Sequence, residues 1–147
     1  TVPAELFSLS QLAVIDFSNN PNLDISFSAV ENEVLEKIHS INLNDAGITS
    51  ISGFDTAVGT SLQILGLGAN SLVGPFPNEI KNFTNLEHLD LSYNFFTGSL
   101  PEEIGTLTSL ITFSITENFL QGQIPESITN IKNIAHLDLS NNGLSGR

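Results

Sequence analysis

The sequence predicts a solenoid. It reads as an α/β repeat of about six coils of 24 residues, wound right-handed, with a parallel concave β-sheet and an irregular or short-helical convex side. Three observations carry this expectation. Asn70, Asn94, Asn118 and Asn142 recur at intervals of 24 residues. Each closes the same frame of alternating apolar residues. The segments between frames share a second layout built on glycine and proline.

The first clear frame is Leu62, Leu65, Leu67, Asn70 and Leu72. Leu86, Leu89, Leu91, Asn94 and Phe96 repeat it, as do Leu110, Phe113, Ile115, Asn118 and Leu120, then Ile134, Leu137, Leu139, Asn142 and Leu144. Two weaker copies precede them. Leu12, Ile15 and Phe17 lead to Asn20, and Ile38, Ile41 and Leu43 lead to Ala46 in place of asparagine. Alternation marks a short half-buried strand. One coil cannot bury its own apolar edge, so stacking the next coil on it closes the core. With strands about 4.8 Å apart, six coils make a sheet on the order of 29 Å across.

The recurrent asparagine has a physical task. Where the strand turns inward, backbone groups lose their ladder partners, and each buried polar group left alone costs about 1–3 kcal/mol. An amide side chain offers both donor and acceptor. Asn20, Asn70, Asn94, Asn118 and Asn142 are the expected structural ladder. Ala46 cannot serve, and the expectation there is a local irregularity or an ordered water.

The return segments Leu72–Pro77, Phe96–Pro101 and Leu120–Pro125 each place glycine third and proline last. Glycine admits a turn with positive φ, and proline fixes φ where no donor is needed. A Pro-x-x-Ile stretch follows each, at Ile80, Ile104 and Ile128, and reads as a short helical turn. Residues 21–36 depart from this layout as an acid-rich connection carrying Glu31, Glu33 and Glu36. The chain is therefore read as one domain over 1–147, with irregular repeats in 1–61 and regular ones in 62–147, as part of a longer array.

Composition bounds the function. The 147 residues hold 16 acidic and 4 basic side chains, a net charge of −12. Phosphate recognition needs clustered Lys and Arg, so a nucleic-acid partner is not expected; docking on anionic lipid is opposed by the same charge. A cationic partner is permitted. Cysteine is absent, which removes thiolate metal sites and Cys nucleophiles. No apolar run is long enough to insert in a membrane.

Leu86 to Leu110, LEHLDLSYNFFTGSLPEEIGTLTSL, is nearly a full copy of LxxLxxLxLxxNxLxGxIPxxIxxLxx. On that motif the chain resembles the plant-type leucine-rich-repeat proteins, most clearly over 62–147. VPAELFSL near the start is similar to the tail of the same frame. Ile48, Ile51 and Phe54 are closer to other repeat subclasses. The resemblance includes receptor-like ectodomains and secreted polygalacturonase-inhibitor-like proteins. It implies a non-catalytic, extracellular or cell-surface module whose concave sheet binds a protein, peptide or glycan, with no cofactor. Flanking repeats or caps are further implied partners, and an adhesion or scaffold segment is the alternative role.

The phrase HLDLS occurs at 88–92 and again at 136–140. His88 and Asp90 could suggest a metal or a proton relay. A metal needs at least three ligands within about 2.0–2.6 Å, whereas the two phrases lie two coils apart and no Glu or Cys completes a cluster. The non-apolar strand positions instead point outward together. They give the candidate recognition residues: Asp16 and Ser18; Asn42 and Asn44; Ile64, Gly66 and Gly68; His88, Asp90 and Ser92; Thr112, Ser114 and Thr116; His136, Asp138 and Ser140. Val14 and Ser40 share that side. Gly66 and Gly68 lack the third glycine of a nucleotide fingerprint and are expected to leave a shallow smooth spot beside an exposed Ile64. Tyr93, the lone tyrosine, is either an anchor for a partner or a cover for the turn. Ten phenylalanines read as a packed spine. Asn82-Phe83-Thr84 is a glycosylation sequon.

Overall fold

Each apolar frame becomes a three-residue strand in the computed structural model, which describes residues 2–23, 25, 37–52 and 61–146. The acid-rich stretch with Glu31, Glu33 and Glu36, and Phe54, lie outside the described residues. In chain order the strands are β1 (Val14–Asp16), β2 (Ser40–Asn42), β3 (Ile64–Gly66), β4 (Val73–Gly74), β5 (His88–Asp90), β6 (Phe95–Gly98), β7 (Thr112–Ser114), β8 (Phe119–Gly122), β9 (His136–Asp138) and β10 (Gly143–Leu144).

β1, β2, β3, β5, β7 and β9 form one six-stranded sheet in that order. Every pairing is parallel, with Ile15, Ile41, Leu65, Leu89, Phe113 and Leu137 in register. The repeat length read from the asparagines is thus the register of the sheet from β2 onward. These central residues point inward, and all but Leu137 on the last strand are buried. Behind them Leu43, Leu67, Leu91 and Ile115 are fully buried, so each coil seals the apolar flank of its neighbour.

Proline starts each convex turn among the described residues. Pro3, Pro77, Pro101 and Pro125 precede turns at Ala4–Ser8, Asn78–Asn82, Glu102–Thr106 and Glu126–Asn130. These turns are 3₁₀ rather than α. Each proline carbonyl accepts the N–H three residues on, at Leu6, Ile80, Ile104 and Ile128. The geometry suits a single turn that need only drop one apolar side chain into the core, and Ile80 and Ile104 are buried there.

The irregular-return expectation needs one correction. β4, β6, β8 and β10 pair in parallel as a second, four-stranded sheet. The glycines four residues after the ladder position, Gly74, Gly98 and Gly122, carry φ of 94°, 75° and 76° and turn the chain out of these strands. The second coil has Ser50 at that position and the first has Pro21 directly after Asn20, which offers no N–H for pairing. No strand of this sheet occurs there among the described residues.

Candidate functional site

Two polar systems run perpendicular to the strands, one inside the solenoid and one outside. Inside, each ladder amide bonds in the same way. The Asn94 Nδ2 donates to the carbonyls of Leu67, Leu91 and Ser92 at 2.8, 3.2 and 3.1 Å, and its Oδ1 accepts the Leu72 N–H at 3.0 Å. Asn70, Asn118 and Asn142 do the same one coil away each time. Asn20, at the exposed first rung, donates within its own coil to Phe17 and Ser18.

At Ala46 the gap is covered from the next rung. Asn70 Oδ1 accepts the Ile48 N–H at 2.9 Å and also the Ala46 N–H at 3.1 Å. One residue on, Gly47, at φ 70°, lies so near Pro21 that a methyl there would sit 2.2 Å from the Pro21 carbonyl oxygen.

Outside, the sheet register sets the exposed side chains in three rows. Val14, Ser40, Ile64, His88, Thr112 and His136 form the first. Asp16, Asn42, Gly66, Asp90, Ser114 and Asp138 form the second. Ser18, Asn44, Gly68, Ser92, Thr116 and Ser140 follow two residues along each strand. The first row and, Asp138 apart, the second line a groove of about 440 Å³.

The repeated phrase is explained here. Asp90 Oδ1 accepts both the N–H and the hydroxyl of Ser92. Asp16 does this with Ser18, and Asp138 with Ser140. The pattern is an Asx-type turn that guides the strand into a left-handed residue. That residue follows in every coil, as Asn19, Asp45, Ala69, Tyr93, Glu117 or Asn141, with φ between 50° and 58°. His88 turns away from Asp90: its Nδ1 pairs with the Thr112 hydroxyl at 2.9 Å. The Ser18 hydroxyl and N–H hold the Asp16 carboxyl below the ordinary carboxylate range. Ser140 does the same for Asp138, with a smaller contribution from the nearby His136.

The smooth spot expected at Gly66 and Gly68 is not bare. Both glycines are buried because side chains of the coils on either side close over them. Asn44 Oδ1 accepts the Gly68 N–H at 2.6 Å, and Asn44 Nδ2 approaches Asp90 Oδ2 at 3.5 Å across the intervening coil. A Cβ at Gly68 would stand 2.8 Å from Asp90 Oδ2. Ser92, at 8% exposure, is likewise withdrawn into its bond with Asp90. Ile64 stays 40% exposed on the groove wall. Thr116 and Ser140 bond each other on the exposed face at 2.7 Å.

The phenylalanine spine is partly an outer surface. Phe7, Phe76, Phe83, Phe96 and Phe113 are buried, but Phe95 and Phe119 are 48% and 58% exposed. Their rings stack at 6.1 Å on the second sheet. Val73, in register with Phe95, extends the stripe, and the exposed Tyr93 lies two residues before Phe95. Residue type alone could not show this. The position directly after the ladder asparagine is the signal, since it faces out wherever the next residue faces in. Asn82 and Thr84 are exposed around a buried Phe83.

The fold and the two sheets define a leucine-rich-repeat solenoid. The Leucine Rich Repeat family signature matches residues 85–107. No curated protein matches the chain in sequence. Among solved structures, a TDR receptor is similar at 26% identity and TM-score 0.76, over 99% of this chain and 29% of that one. The BIR2 ectodomain from Arabidopsis thaliana is similar at 31% identity and TM-score 0.67, over 72% of this chain and 56% of that one. A plant peptide hormone receptor, RGFR1, solved in complex with RGF2, is similar at 26% identity and TM-score 0.67, over 98% of this chain and 27% of that one. The chain spans less than a third of the first of these and just over half of the second. It is a leucine-rich-repeat protein of the plant type. No helix among the described residues is long and apolar enough to cross a membrane.

Proposed function

We propose that the chain is a non-catalytic recognition module, extracellular or at a cell surface, that binds an extended peptide or protein segment across its concave sheet. One observation carries this reading. Outward row residues line a groove on a frame held mainly by the inward apolar residues and the amide column, which leaves row side chains such as Ile64 and Ser114 to meet a partner. The similarity to a plant peptide hormone receptor supports it. A random peptide library panned on the folded chain tests it. Peptides recovered should lose binding to an Ile64→Arg, Ser114→Arg variant whose melting temperature is unchanged. Undiminished binding would remove the concave face as the site.

Asn82 is read as a glycan acceptor at the end of a convex turn, away from the groove. Secreted protein should lose mass on treatment with a peptide N-glycosidase, and an Asn82→Gln variant should not. An untouched mass would end this assignment.

A scaffold role has one observation in its favour, the exposed Val73, Phe95 and Phe119 stripe, since contiguous apolar patches mark contacts. Light scattering separates the two readings. Concentration-dependent association abolished by Phe95→Ser supports the scaffold, and a monomer throughout supports the recognition module.

A further inference from the structure

The aromatic stripe and the Asn82 sequon are absorbed by the readings above, and the charge of the groove is not. The groove carries an inference furthest, because its chemistry specifies what would occupy it.

Asp16 and Asp90 both line the groove. The chain's four cationic side chains, Lys37, Lys81, Lys132 and Arg147, all fall outside the three rows. The carboxylates are therefore not answered from within their own face. They are also held in place. Ser18 fixes Asp16 Oδ1 while Asn42 Nδ2 approaches Oδ2 at 3.3 Å. Ser92 fixes Asp90 Oδ1, and among the described residues Oδ2 has only the long Asn44 contact at 3.5 Å. An ionised carboxylate accepts about four hydrogen bonds, so each retains capacity toward the groove. A carboxylate already oriented loses little freedom on binding.

The spacing then selects a partner. Asp16 and Asp90 stand three strands apart in one row, about 14 Å at the usual strand separation. An extended peptide advances about 3.4 Å per residue, so four residues cover about 14 Å. An even step returns side chains to the same face. Asp138, two strands beyond Asp90, is about 10 Å away, which matches three residues and the wrong face. Ile64 lies between Asp16 and Asp90 in the neighbouring row and offers an apolar wall to the residue midway.

We infer that the groove takes an extended peptide with two basic side chains four residues apart, their cations set against Asp16 and Asp90 and an apolar side chain between them against Ile64. This rests on the concave-face reading and names its ligand chemistry. The net charge of −12 steers such a peptide toward the protein, and the carboxylate spacing gives the register.

The probe is acetyl-Gly-Lys-Thr-Leu-Thr-Lys-Gly-amide, measured by titration calorimetry on the intact chain at low salt. Asp16→Asn and Asp90→Asn keep shape and can still accept from serine. Each should weaken the peptide about tenfold, the scale of one lost charge-assisted contact, while the chain stays folded. Shifting the second lysine by one residue should weaken it about fivefold, because non-specific attraction does not depend on spacing. Absence of binding, equal binding by the Glu-for-Lys peptide, or indifference to both Asp variants and to spacing would overturn the inference. If library peptides still depend on Ile64 and Ser114 in that case, the concave reading survives and only the basic ligand fails. If they do not, both fail.

Discussion

The interior amide column and the exterior rows are built from one phrase, yet they treat polar residues in opposite ways. In LDLSYN at 89–94, Asn94 is 3% exposed and all its polar capacity is spent on backbone. Asp90, four residues earlier, bonds to Ser92 and reaches into a groove. Inside, a polar atom must be satisfied by the fold because water cannot reach it. Outside, it need only be oriented. The difference shows that place in the coil, rather than residue type, divides structural work from recognition.

Breaking the column should have the larger effect. Asn94→Ala strands the Leu72 N–H and takes one of two partners from each of the Leu67, Leu91 and Ser92 carbonyls, which keep Asn70, Asn118 and the Ala69 N–H. A loss of about 3 kcal/mol is expected in urea unfolding. Gly68→Ala tests the seam between the two systems. Its Cβ meets the movable Asp90 carboxylate rather than backbone, so the cost should be about 1 kcal/mol, with weaker binding in the groove as Asp90 is pushed aside. Ala69→Asn sharpens the comparison from the other side. Ala69 sits at φ 54°, where asparagine is better tolerated, and a gain of about 0.5 kcal/mol is expected.

The smallest effect is on acid stability. Asp16 and Asp138 have carboxyls depressed by their serines. A depressed folded pKa stabilises above the unfolded value of about 3.9 and is lost as pH falls through the folded value. Urea midpoints should therefore decline below about pH 4, and Ser140→Ala should make that decline shallower. An unchanged profile would mean the serine contacts leave stability untouched.

Much of the fold was legible because it follows from spacing. The 24-residue interval of the asparagines is the register of the sheet from β2 onward, and Pro-x-x-Ile marks the convex turns that start after Pro77, Pro101 and Pro125. The second sheet was not legible. β4 and β10 are two residues long, β6 and β8 turn only Phe96 and Leu120 inward before a glycine, so no alternation stands out, and pairing depends on stacked coils. The rows could be assigned from alternation, but the cover over Gly66 and Gly68 could not, since Asn44 and Asp90 come from coils on either side. Phe95 and Phe119 were hidden by residue type: ten phenylalanines suggest a core, and only the frame position separates Phe95 from the buried Phe96.

The most direct test compares melting temperatures of Asn94→Ala and of the Ile64→Arg, Ser114→Arg double variant against the unaltered chain. The double variant should melt within about 2 °C of the unaltered chain, and Asn94→Ala about 10 °C below it. Equal losses in the two would contradict a division between a column that holds the coils and rows left free to bind.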